Sequence, residues 1–134
     1  MPIHVKWHNE ARTIIRYEFE GVWTWDDLYA AIRDVNTMMG SVPYRVDVII
    51  TMFNSRTVPS GALVHMRSGS TRAASNWGMG VFVGNNPLVK ALLTAFTKVY
   101  PRFNQRYAIA ASLEEAEALI TSRRDEKLEG QPED

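Results

Sequence analysis

Ile3, Val5 and Trp7 fall on one parity and His4, Lys6 and His8 on the other, the period of a half-buried strand. Asn9-Glu10 reads as a turn and Arg12 to Phe19 as a second strand, so the two predict a hairpin that Gly21 closes. Thr24 is a helix cap with Asp26 and Asp27 in the first turn, where the helix dipole favours negative charge. Leu28, Ala31, Ile32, Val35, Met38 and Met39 follow at helical spacing, up to Gly40. Tyr44 to Met52 is a strand whose Val-Ile-Ile run predicts a central, doubly covered position. Beyond a loop from Asn54 to Val58, Pro59-Ser60-Gly61 opens a second helix carrying Leu63, Met66, Ala73, Ala74 and Trp77. The Ser68-Gly69-Ser70 patch within it predicts either a short helix or close packing through small residues.

Met79 to Val83 is the next strand, and Asn85-Asn86-Pro87 caps a third helix running from Leu88 to about Tyr100. Tyr107 to Ala110 is a short strand, and Ser112-Leu113-Glu114-Glu115 is a capping box for a last helix with Ala116, Leu119 and Ile120. From Asp125 onward the chain is polar and mostly acidic and is expected to fray. The order β-β-α-β-α-β-α-β-α predicts an α/β fold: a mixed, mostly parallel sheet with an N-terminal antiparallel hairpin and four helices. The expected division is one domain over 1–124 and a disordered acidic tail over 125–134.

Composition narrows the chemistry. The 134 residues are 46% hydrophobic and 22% charged, which fits a soluble globular chain. The absence of Cys removes disulfides, thiolate metal sites and a cysteine nucleophile. Neither a signal-peptide run nor a membrane-length apolar stretch occurs, so the expected location is the cytoplasm, with no membrane contact. Fifteen basic residues balance fifteen acidic ones, but Val48 to Leu113 contains no acid and seven bases: Arg56, Arg67, Arg72, Lys90, Lys98, Arg102 and Arg106. Such asymmetry marks either a surface for an acidic partner or charges that pair across the folded surface. With zero net charge and no recognised motif, nucleic acid is not expected as a partner.

Ser60 stands at a helix start, beside free amides and the positive end of the dipole, where a phosphate would be stabilised; the plainer alternative is a simple cap. His4 and His8 lie roughly 13 Å apart along a strand, too far for one metal. His65 is rotated about 140° from Ser60 on a helix, a poor nucleophile–base pair. Gly78 and Gly80 precede or begin a strand and Gly84 follows it, at the wrong spacing for a dinucleotide fingerprint. The turn at Gly84-Asn85, with Phe53 and Asn54, lies at strand carboxyl ends, where open α/β sheets bind ligands. Trp23 and Trp25 flank the first helix start and Trp77 closes the second helix; these rings are either core or interface. No paired carboxylate or metal cluster is visible, so no catalytic residue, metal or cofactor is expected.

The run Val48 to Met66 (Val-Ile-Ile-Thr-Met-Phe-Asn-Ser-Arg-Thr-Val-Pro-Ser-Gly-Ala-Leu-Val-His-Met) resembles the STAS, or SpoIIAA-like, domain family of sulfate transporters and anti-sigma-factor antagonists. In that family a hydrophobic strand ends in Asp, and Asp-Ser-Ser-Gly opens the next helix. Here Ser60-Gly61 matches the Ser-Gly, Thr51 stands near the strand-end Asp, and Val58 and Pro59 replace the Asp-Ser. Ser112 to Ile120 is similar to the family's closing helix. The resemblance covers the chain to about Arg124. It implies a SpoIIAA-like fold, Ser60 as phosphoacceptor, and a non-enzymatic regulatory module. Its partner, a kinase-like protein or other regulator, would meet Arg56, Ser60, Gly61, His65 and Arg67. The alternative is a small-ligand or lipid-binding protein, with or without enzymatic activity, whose pocket lies near Phe53, Asn54, Gly84 and Asn85. A third expectation is a homodimer or larger homo-oligomer held by Trp and Met surfaces.

Overall fold

The computed structural model describes residues 2–55 and 57–130. Its elements run β1 (Ile3–Trp7), β2 (Ile14–Glu20), α1 (Trp25–Gly40), β3 (Val46–Asn54), α2 (Ala62–Thr71), β4 (Trp77–Val83), α3 (Pro87–Val99), a 3-10 turn (Pro101–Phe103), β5 (Tyr107–Ala110) and α4 (Leu113–Gly130). The fold is α/β, with a five-stranded mixed sheet in the order β1-β2-β3-β4-β5. The β1–β2 pair is antiparallel and the other three pairs are parallel, as the pattern of elements predicts. The Val-Ile-Ile strand, β3, is the central one.

Local chemistry sets the element ends. Thr24 and Asp27 form a reciprocal capping box at the start of α1. The Asn86 side chain caps α3, with Pro87 in its first turn. Ser112 Oγ accepts from Glu115 N, but the Glu115 carboxylate reaches back to Ala111 N, one residue before the cap. Asn9 holds the β1–β2 connection by accepting from Thr13 N and Ile14 N.

Alternation along the strands divides the core. Ile15, Tyr17, Phe19, Val46 and Val48 face α1, while Phe82 and Tyr107 pack with Leu93 and Phe96 of α3. On the opposite face Ile14, Ile49, Met79, Val81 and Val83 pack against Ala116 and Ile120 of α4. Three helices therefore cover one face and α4 alone covers part of the other. Gly69 lets α2 approach α1: a Cβ there would stand 3.0 Å from Ile32 Cδ1. The small-residue patch thus serves close packing in a helix that is also short.

Two expectations change. Trp77 begins β4 and does not close α2, because the helix ends at Thr71 and Asn76 turns the chain by bonding the carbonyls of Met39 and Tyr44. The helix α4 continues to Gly130, past the expected domain end at Arg124, and residues 131–134 lie outside the described part. Of the core and interface alternatives for the first two tryptophans, Trp23 takes the core and Trp25 is half-buried.

Candidate functional site

Between the inner sheet face and helices α1, α2 and α3 lies a cavity of about 140 Å³. Tyr17, Phe19, Val48 and Phe82 form its sheet wall, and Val35, Met66 and Leu93 contribute from the helices. Its existence follows from the sequence locally. Gly80 on β4 carries no side chain into this layer, and the Tyr107 ring lies over it: a Cβ at Gly80 would meet that ring at 3.1 Å.

The cavity's rim at the carboxyl end of the strands is aromatic. Trp23 packs edge-on against Trp25, with centroids 4.9 Å apart, and Trp25 stacks on His65 at 4.8 Å. Each indole donates to the loop between β3 and α2: Trp23 Nε1 to the Thr57 carbonyl at 3.0 Å, and Trp25 Nε1 to the Ser60 carbonyl at 2.7 Å. Ser55 Oγ donates to the Gly21 carbonyl at 2.6 Å and completes the anchoring. The loop is thus tied down over the rim.

Polar groups on the cavity wall are few. Ser70 Oγ donates to the Met66 carbonyl at 2.7 Å, and lies 2.7 Å from the Tyr107 hydroxyl. A serine hydroxyl has one proton, so Tyr107 is the donor in that second bond. Asn36 is used at both ends, donating to the Arg72 carbonyl and accepting from Ala74 N. His65 Nδ1 meets the Tyr29 hydroxyl at 2.7 Å. Burial pushes the Tyr17 phenol well above its ordinary pKa, with nearby Tyr107 adding to the rise. Burial also raises Tyr107, offset in part by Ser70 and Arg106.

The residues expected to form a partner surface are only partly brought together. Ser60 is exposed but is not the cap of α2; that position is Gly61, at φ +85°, with no side-chain cap bond. His65 is turned toward the cavity rim and holds Trp25 and Tyr29. Arg67 is exposed, with its guanidinium 5.6 Å from the Tyr100 ring. Arg56 lies outside the described residues. The other bases of the acid-free stretch are largely engaged with rings: Arg72 on Tyr29, Arg102 on Phe103 and Arg106 on Trp77.

The expected pocket at the strand carboxyl ends exists in part. Phe53, Gly84 and Asn85 line an outer depression of about 340 Å³, but Asn54 does not. The exposed Asn54 instead gives its carbonyl to Gly21 N. This depression shares Ile50, Met52, Phe82 and Val89 with the inner cavity as a common partition. The inner cavity itself escaped sequence reasoning, since its walls carry the same apolar periodicity as a filled core.

Among the described residues, no group of three or more His, Asp or Glu side chains is placed to hold a metal, and no helix is long and apolar enough to cross a membrane. Comparison with protein-family models, curated proteins and solved structures gives no match.

Proposed function

We propose that this protein binds a small apolar molecule in the cavity between the sheet and α1, α2 and α3. The observation that carries the reading is the cavity itself. Apolar walls that face open space and not one another leave packing contacts unmade, which a guest of matching size would restore. A cavity near 150 Å³ with apolar walls accepts a benzene-sized guest, and the space here, about 140 Å³, is comparable. Ile50, Met52, Phe82 and Val89 line both spaces, which makes them the route we propose from the outer depression.

The test is thermal unfolding with and without dissolved toluene or cyclohexane. Binding raises the melting temperature, because a ligand at 100 times its Kd stabilises by about 2.7 kcal/mol. The variant Leu92→Phe, which adds volume to the cavity wall, should lose the rise. An unchanged melting temperature of the natural chain across such compounds would count against the proposal.

A second reading rests on the resemblance to STAS domains: a regulatory module contacting a protein partner at the start of α2. It is favoured by the exposure of Ser60 and by the bond from Trp25 to the Ser60 carbonyl. Trp25 is also a wall of the cavity, so occupancy and partner contact would be linked through one ring. Capture of a specific partner that changes with Ser60→Asp supports this reading. Identical capture by both forms opposes it.

A further inference from the structure

The cavity wall has a chemical polarity as well as a size. Tyr17 lines the cavity at 8% exposure, and among the described residues its hydroxyl is neither hydrogen-bonded nor sealed off as a buried atom. The hydroxyl of Tyr107 is already committed to Ser70, and Ser70 to the Met66 carbonyl. Trp77, also on the wall, has its indole N–H buried without a partner. A buried donor without a partner, as the Trp77 N–H is, is costly and rare in native proteins. An indole N–H can only donate, and the Tyr17 phenol brings a free O–H donor. Among the described residues no Lys or Arg lines the cavity, and its one imidazole, His65, is engaged by Tyr29 and Trp25, so no free cation offsets a full negative charge.

We infer that the cavity selects a small neutral molecule, a ring or short chain bearing a hydrogen-bond-accepting oxygen such as a ketone, with that oxygen held by the Tyr17 hydroxyl. This deepens the proposed function and rests on it. A ketone oxygen gives the Tyr17 hydroxyl an acceptor, while its hydrocarbon body fills the apolar remainder. A carboxylate of the same shape is disfavoured, because desolvating its charge finds no cation to compensate. The upward displacement of both phenols agrees with a site that resists added negative charge.

The experiment titrates the full chain and Tyr17→Phe with cyclohexane, cyclohexanone and cyclohexanecarboxylate, followed by NMR. Removing the hydroxyl should weaken cyclohexanone about five- to tenfold, the worth of one buried hydrogen bond, and leave cyclohexane within about twofold. The carboxylate should bind the natural chain more weakly than the ketone. Independently of any variant, the carbonyl infrared stretch of bound cyclohexanone should fall on binding to the natural chain, as accepting a hydrogen bond requires. Equal ketone affinity in both proteins, an unshifted carbonyl stretch, or tighter binding of the carboxylate would overturn the inference while leaving a hydrocarbon site intact. If neither cyclohexane nor cyclohexanone binds the natural chain, the proposed function fails with it.

Discussion

Arg124 Nε lies 2.7 Å from Asp47 Oδ2, joining the last helix to the central strand across 77 residues of chain. Asp47 is fully buried, and its other oxygen accepts from Arg45 Nε at 2.9 Å and Met79 N at 2.8 Å. The Arg124 guanidinium also donates to the carbonyls of Thr13 and Arg45, so it fastens α4 to both β3 and the start of β2. Gly78 makes room for this group: a Cβ there would stand 2.1 Å from Asp47 Oδ1. Without Arg124 the buried carboxylate keeps Arg45 and Met79 N but loses the charge-assisted bond to its second oxygen, a cost of about 1.5–3 kcal/mol. Arg124→Met should therefore lower stability by about that amount in urea unfolding. A loss below about 1 kcal/mol would mean that Arg45 and Met79 suffice.

Raised phenol pKa values make the fold sensitive to alkali. Tyr17 and Tyr107 are neutral in the folded protein to a higher pH than in the unfolded chain, where a phenol ionises near about 10. The stabilisation from keeping them neutral is fully present below that pH. It falls away as pH rises from there through the folded values, because the unfolded chain then releases protons that the folded one retains. Stability should be flat in this respect below about pH 9 and drop steeply above about pH 10. Tyr17→Phe should make the drop shallower, as read by denaturant midpoints between neutral pH and about pH 11. Parallel curves for the two proteins would remove Tyr17 from the effect.

Backbone strain locates the start of α2. Gly61 sits at φ +85°, and a Cβ there would stand 3.3 Å from His65 Cδ2. A left-handed residue with a side chain costs about 1–2 kcal/mol, and the contact would also press on the ring that stacks Trp25. Gly61→Ala should lower stability by about that amount and change the tryptophan emission. The neighbouring exposed Ser60 has no such constraint, so Ser60→Ala should stay within about 0.5 kcal/mol. A larger loss for Ser60→Ala than for Gly61→Ala would restore Ser60 as the helix cap.

These residues also mark what the chain announces and what it conceals. Thr24, Asn86 and Ser112 are legible because a cap is a local bond between near neighbours. The five strands are legible because burial of one or both faces writes a period into the sequence. Ser60 misleads because both it and Gly61 suit a helix start, and only the backbone angle decides between them. Trp77 misleads because Ala73, Ala74 and Trp77 keep helical spacing beyond the true end of α2; Asn76 breaks the helix through bonds to distant carbonyls. The cavity is invisible for a deeper reason. Apolar periodicity reports which face is covered, not whether the covering layers meet. The lone hydroxyl of Tyr17 has meaning only once Tyr107 and Ser70 are seen to pair without it.

The two tryptophans at the rim make a last prediction about motion. Trp25 Nε1 donates to the Ser60 carbonyl, and the ring stacks on His65 with planes 15° apart. Trp25→Phe keeps an aromatic body for the stack but deletes the donor. The bond it removes is worth about 1 kcal/mol, which corresponds to roughly a fivefold gain in the population of loop-open states. Amide exchange at Thr57, Val58, Ser60 and Gly61 should then quicken by about that factor. Exchange at Val48 and Ile49 in the central strand should hardly change, since their protection is set by global unfolding. Ligand association should speed up as well if the loop gates the cavity, whereas faster amide exchange with unchanged association would assign entry to the partition around Phe82.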